Sequence, residues 1–189
     1  MARAKNTTTD RPLALELLAA DHRKVEDLFE QYENAKDDED DGRTGIAERI
    51  CKELTVHAQL EEEVFYPWLK ENLDEEDMEM VEEAYVEHGT AKDLIAQIEG
   101  AGGPDAEYDA KVKVLSEYIK HHVKEEEGEI FEACSDMREE LDELGQEMAS
   151  RKSELAEENG LMEDEASEGV MAGKGGRGKA GGSAERRSR

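Results

Sequence analysis

The chain is poor in the residues that punctuate or staple small folds. It has three prolines and two cysteines in 189 residues. Cys51 and Cys134 are too few and too far apart for a disulfide framework or a Cys-x-x-Cys pair, which argues against thiolate ligation and makes a reducing compartment the default. Aromatics make up only 5%, and Ala, Leu, Glu, Lys and Met prevail over β-branched residues, so the composition points to an all-helical protein. No run approaches the roughly 20 apolar residues needed to cross a bilayer. The opening "MARAKNTTTDRP" has no apolar stretch behind its basic residues, so no secretory leader and no membrane partner are expected, and the expected location is cytoplasmic. Positive charge is scarce as well. With 24 bases against 51 acids the net charge is −27, a balance that repels nucleic acid and anionic membranes. Only residues 172–189 run the other way, with six bases against Glu185, a local +5 that leaves −32 on residues 1–171. There is no Gly-rich phosphate loop, no Gly-x-Ser-x-Gly and no His-Glu-x-x-His, so no hydrolase or transferase signature competes.

What is present is helical periodicity. Thr9, Asp10 and Pro12 are cap and first-turn residues, followed by Leu15, Leu18, His22, Val25, Phe29 and Tyr32 at steps of three and four. "DDEDDGR" ends that helix. A second starts near Thr44 and carries Ile50, Leu54, His57, Glu61, Val64, Phe65 and Trp68, with Pro67 expected to bend or end it. A third carries Met80 or Val81, Ala84, Tyr85, His88, Ala91, Ile95 and Ile98 up to "GAGGPD". The fourth reads Val112, Leu115, Tyr118 or Ile119, His122, a glutamate cluster, then Ile130, Phe131 and Cys134. Four helices with short connections predict an up-down-up-down four-helix bundle over residues 10–135. Asp136 and Glu139 resemble a capping box, and Met137, Leu141, Leu144, Met148 and Leu155 predict an added C-terminal amphipathic helix over 136–159. The Gly-rich basic remainder, 160–189, is expected to be a disordered tail.

Of five histidines, four lie on apolar stripes, one per helix: His22, His57, His88 and His122. One histidine on a core face is ordinary packing; four, one from each helix, are not. Glu61 lies four residues after His57 and shares its face. A buried carboxylate is costly unless it is paired or binds metal. Imidazole and carboxylate converging from facing helices suit non-haem iron, manganese or zinc. Two carboxylates can bridge two metals and partly offset their charge.

"ADHRKVEDLFEQY", "HAQLEEEVFYP", "EHGTAKDLI" and "HHVKEEEGEIFE", in this order and spacing, resemble the signature of the hemerythrin-like, HHE cation-binding domain over residues 10 to 135. The resemblance implies a four-helix bundle holding a non-haem di-iron centre with two bridging carboxylates, and His22, His57, Glu61, His88 and His122 as ligands. The sixth ligand has two candidates. Regular helical spacing puts Glu126 on the face of His122, whereas aligning "EEEVF" with "EGEIF" matches Glu61 to Glu127 and favours the latter. Glu127 sits about 140° from His122 on a regular helix, so it requires a π-bulge, which Gly128 would ease. The sequence departs from the oxygen-carrying members at Lys92, where they have a second third-helix histidine, which points to a more open iron. Tyr85 and Tyr118 face the same interior. Asp21, adjacent to His22, is expected to be solvated, and His121 with Glu125 to form a surface ion pair.

The reading that follows is a non-haem di-iron protein that binds or reacts with oxygen, peroxide or nitric oxide in sensing, detoxification or iron handling. Its partner is a small diatomic or peroxide ligand. Two alternatives stand beside it: a non-catalytic metal storage or sensing module, and a structural bundle acting through its C-terminal helix and tail. The tail's six charges without aromatics are a weak, salt-sensitive signal for nucleic acid. The oligomeric state is not legible.

Overall fold

The computed structural model describes residues 11–35, 42–75, 77–101, 103 and 105–161. They are helical throughout, with no strand among them. Helix α1 spans Leu13–Asn34 and α2 spans Gly42–Leu60; a π turn over Glu61–Phe65 leads into α3, Tyr66–Asn72. Helix α4 spans Met78–Glu99 and α5 spans Ala106–Glu125; a second π turn over Glu126–Ile130 leads into α6, Phe131–Cys134. Helix α7, Arg138–Glu158, follows. The first six segments form the four long rods of an up-down-up-down bundle, and α7 is the additional C-terminal helix. Thr9, Asp10, the "DDEDD" run and residues 162–189, including the basic tail, lie outside the described residues.

Helix ends follow local chemistry. The Asp105 side chain accepts from the amides of Glu107 and Tyr108 at 2.9 and 2.8 Å, capping α5. Helix α7 starts without the capping box suggested by Asp136 and Glu139, since Met137 occupies the cap position and no side chain bonds there. It ends in a Schellman arrangement: Gly160, at φ +66°, donates to Glu157 O, and Leu161 donates to Ala156 O. Pro67 neither ends nor breaks its rod. It follows the π turn directly, where Tyr66 N–H bonds back five residues to Glu61 O, and the helix runs on to Asn72.

The apolar stripes meet in two clusters at opposite ends of the bundle. One gathers Leu15, Leu18, Leu60, Phe65, Leu69, Ile130 and Phe131 with the α7 residues Leu141, Met148 and Leu155. The other gathers Phe29, Tyr32, Ile50, Leu54, Ile95, Val112 and Leu115. On each rod one histidine lies at the changeover from one cluster to the other. The four histidines therefore form a polar layer across the middle of the bundle, sealed from above and below by hydrocarbon. Helix α7 packs over α1 and α2 and ties itself to α1 where Asp142 Oδ1 accepts the Leu13 amide at 2.7 Å.

Candidate metal centre

Residues on one helical stripe point to the bundle axis, and His22, His57, His88 and His122 meet there, each at most 6% exposed. Their Nε2 atoms face inward: His22 and His57 stand 3.2 Å apart through Nε2, and His88 and His122 3.3 Å. Between the pairs lie Glu61 and Glu126, 0% and 1% exposed. Glu61 Oε2 is 3.4 Å from His57 Nε2 and 3.2 Å from His88 Nε2. Glu126 Oε2 is 3.0 Å from His22 Nε2 and 3.9 Å from His122 Nε2. His22, His57, Glu61 and Glu126 offer ligand atoms all within 4.8 Å of one another, and Glu61, His88 and His122 do the same, so Glu61 belongs to both groups.

The structure thus brings together six of the seven residues singled out in the sequence and sets Glu127 elsewhere. The π turn begins at Glu126, so the chain up to that residue keeps regular spacing from His122, and the extra residue is absorbed afterwards. Phe65 then corresponds to Ile130, not to Phe131, and alignment on the phenylalanines is one residue out of register. Glu127 Oε1 lies 2.9 Å from His22 Nδ1, on the outer side of that ring, and its Oε2 accepts from Arg11 at 3.3 Å.

That outer position is one of four. Glu62 stands 3.0 Å from His88 Nδ1, Glu87 2.7 Å from His122 Nδ1, and Asp21 3.5 Å from His57 Nδ1. An ionised carboxylate only accepts, so these partners assign the proton to Nδ1 and turn the Nε2 lone pair inward. The arrangement obeys an internal two-fold relation. The acid just before one histidine holds the imidazole of the next rod (Asp21 to His57, Glu87 to His122). The acid just after each central glutamate likewise holds the imidazole of the next rod in cyclic order (Glu62 to His88, Glu127 to His22). Asp21, expected in solvent, is 6% exposed and also pairs with Lys152 of α7. An acid ahead of a histidine and a doubled glutamate four residues after one recur in both halves of the sequence.

Tyr66 was also missed. It is fully buried, its ring stacks on His88 at 5.4 Å, and its hydroxyl lies 3.3 Å from His88 Nε2. Its two-fold counterpart is Phe131, whose ring stacks on His22 at 6.2 Å without a hydroxyl. Regular spacing from His57 points Tyr66 away from the axis; the π turn brings it back. Tyr85 packs on Tyr66 at 5.0 Å, and Tyr118 joins the second apolar cluster. Lys92 Nζ lies 2.6 Å from both oxygens of Glu62.

Charge at the centre is balanced by protons alone among the protein groups. Both oxygens of Glu61 and of Glu126 lack a hydrogen-bond partner. Burial, with Glu126 beside it, pushes the Glu61 carboxyl well above the usual range, while Glu126 is held low by Glu61 and His22 against the same burial. The pair therefore keeps one proton between them. Burial disfavours charge on His22, but Glu126 and Glu127 outweigh it and raise the imidazole to about 9. Burial and the neighbouring His122 and His57 lower His88 to about 3. Two buried carboxylates and four inward Nε2 atoms, held by protons alone, form a donor set that a cation would satisfy by displacing those protons. The thiols take no part: burial pushes Cys51 and Cys134 up to about 12, and Cys134 donates to Ile130 O.

The chain belongs to the family of the hemerythrin HHE cation binding domain, whose model matches residues 13–134. Against curated proteins it is similar to a DNA nickase of Nostoc sp. (strain PCC 7120 / SAG 25.82 / UTEX 2576), 29% identical over 150 residues, a match that covers 77% of this chain and 40% of that protein. The chain thus spans less than half the length of the curated relative it matches. No solved structure matches it. No helix among the described residues is long and apolar enough to cross a membrane.

Proposed function

We propose that the chain is a non-haem di-iron protein of hemerythrin type, binding or reacting with oxygen, peroxide or nitric oxide in sensing, detoxification or iron handling. The observation that carries the reading is the pair Glu61 and Glu126, fully buried, without a fixed cation and set among four inward Nε2 atoms. Taking two carboxylates out of water costs several kcal/mol each unless a counter-charge meets them. In this reading His22, His57, His88, His122, Glu61 and Glu126 would hold iron, with Glu127 outside the ligand set. Iron there would supply redox chemistry and bind a small ligand.

The protein's own groups suit such a ligand. A cavity of ≈ 20 Å³ adjoins the histidine layer, walled by Val25, Leu54, Ala91, Lys92, Ile95 and Ile119. It has room for one water-sized molecule and no more, which favours a diatomic gas or peroxide over any larger substrate. Lys92 brings no imidazole, and its ammonium is neutralised by Glu62 at the rim of this cavity. The Tyr66 hydroxyl keeps its proton, because burial and Glu61 push its pKa well above the ordinary value, so Oη can donate a hydrogen bond into the cluster. The DNA nicking named for the Nostoc relative is not extended to this chain: a net charge of −27 repels a phosphate backbone.

The test is the iron content and visible absorption of protein purified aerobically without chelator. About two irons per chain are expected. A His57→Ala, Glu61→Ala variant that still folds should lose them, and unchanged iron content in that variant would overturn the reading. Steady-state consumption of peroxide or nitric oxide by the loaded protein then separates a reactive centre from a storage module.

A further inference from the structure

The internal two-fold relation that organises the centre fails at one place on its outside. Helix α7 packs over α1, α2 and the first π turn, and the residues beneath it are apolar: Leu17, Leu60 and Val64 all join the α7-containing cluster. Moving from His22 to its counterpart His88, and from Glu61 to Glu126, carries these three positions onto Glu83, Glu125 and Glu129. No helix covers that face among the described residues. A pocket of ≈ 180 Å³ lies there instead, between α4 and the second π turn.

Its walls change character with depth. Glu83 and Glu129 are exposed at the mouth and Glu125 is half-buried. Glu87 lies further in, and His122 and Glu126 form the floor. Glu126 is 1% exposed; its Oε2 faces His22 Nε2 at 3.0 Å and its Oε1 has no hydrogen-bond partner, so the pocket ends on a ligand of the buried cluster with an oxygen to spare. Beside the pocket, the wall residues Glu87 and Glu125 and the exposed His121 offer ligand atoms within 4.8 Å of one another. A line of carboxylates running from solvent to a buried carboxylate oxygen passes a cation from one partial coordination shell to the next without stranding it in hydrocarbon. On the opposite face the same path is blocked by Leu17, Leu60, Val64 and α7.

We propose that this pocket is the loading path by which a divalent cation reaches the buried centre, with Glu83, Glu125 and Glu129 drawing the ion in and Glu126 receiving it. The inference rests on the metal-centre reading above and adds a direction to it: metal enters and leaves through the α4/α5 face, and α7 closes the other. Clefts lined by one sign of charge raise the local concentration of the opposite ion and speed its capture. The whole chain is acidic, so the assignment requires that these three carboxylates matter more than three others.

The experiment is anaerobic mixing of metal-free full-length protein with ferrous iron at low ionic strength, with bound iron measured against time after a chelator quench. Replacing Glu83→Gln, Glu125→Gln and Glu129→Gln together is expected to slow initial uptake on the order of tenfold, with the final iron content unchanged. A control carrying Asp27→Asn, Glu30→Gln and Asp93→Asn removes as many charges from other exposed positions and should load at the parent rate. The gap between the two should close as salt is raised. Glu129→Lys alone, at an exposed site, should slow loading in the same sense. A first triple variant that loads as fast as the parent overturns the proposal, and so does a control slowed equally. A parent protein that takes up no iron at all overturns the metal-centre reading itself, which the final iron content reveals separately from the rate.

Discussion

Glu87 Oε2 stands 2.7 Å from His122 Nδ1, while its two-fold counterpart Asp21 stands 3.5 Å from His57 Nδ1 and is shared with Lys152. The two contacts do the same work at unequal strength. Each aims an imidazole and strengthens it as a donor, but Asp21 is already partly neutralised by an ammonium. Removing charge from such a partner typically weakens metal binding by about 10- to 100-fold. Glu87→Gln should therefore fall in that range and Asp21→Asn below it, as read by competition with a chelator of known affinity. The reverse order would mean that the Lys152 link strengthens the His57 side.

Glu126 and Glu127 are neighbours with different predicted outcomes. Glu126→Gln removes a buried carboxylate from the cluster, so bound metal should drop below the parent stoichiometry. Glu127→Gln removes only the partner of His22 Nδ1 and should keep the full metal count at reduced affinity. Metal analysis of the two variants after identical loading discriminates them. Equal loss in both would return Glu127 to the ligand set.

The bundle and its histidine layer were legible because one stripe per helix recurs at steps of three and four, and four of five histidines fall on such stripes. The choice at Glu126 and Glu127 was not, because both arms carry the same π turn after the glutamate and the two phenylalanines occupy non-equivalent places, Phe65 matching Ile130 and Phe131 matching Tyr66. Aligning the two phenylalanines assumed that the extra residue preceded the glutamate, and it follows it. Asp21 shows a second limit. Its position off the stripe was correctly read, but a residue off the stripe in a bundle points at the neighbouring rod before it points at water. Here that neighbour is α2, with α7 laid across the gap.

Loading should depend on pH, with a sign fixed by His22. In the metal-free cluster its pKa is raised from 6.5 to about 9, because Glu126 and Glu127 favour the charged ring more than burial penalises it. Metal requires that nitrogen unprotonated, so below about pH 9 each loading event displaces this proton, and the pair of Glu61 and Glu126 gives up another. Apparent affinity should rise with pH through neutrality and level off above about 9, with proton release measurable in a weakly buffered titration at pH 7. An affinity flat between pH 6 and 9 would mean that His22 is neutral before metal arrives.

The last prediction concerns α7, whose seal over one face depends on close approach. A Cβ on Gly145 would sit 2.6 Å from the backbone nitrogen of Ala14 and 2.7 Å from Leu13 Cβ and Cγ. Backbone cannot swing aside as a side-chain tip does, so Gly145→Ala must push α7 away from the start of α1. That displacement also pulls at the bond from the Leu13 amide to Asp142. Overpacking of this kind costs about 1–3 kcal/mol. Gly89 gives the opposite case. It lies inside α4 beside His88, nothing lies within 4 Å of its added Cβ, and it is exposed. Alanine there gains helix propensity alone, about 0.8–1 kcal/mol. Urea denaturation of the metal-free protein should move its midpoint down for Gly145→Ala and up for Gly89→Ala. Lys152, which pairs with Asp21, sits two turns beyond Gly145 on α7. A lifted helix should therefore free Asp21 from that ammonium to serve His57 Nδ1, and metal affinity should rise in Gly145→Ala while holding in Gly89→Ala. Destabilisation by Gly145→Ala with unchanged metal affinity would confine α7 to a structural role.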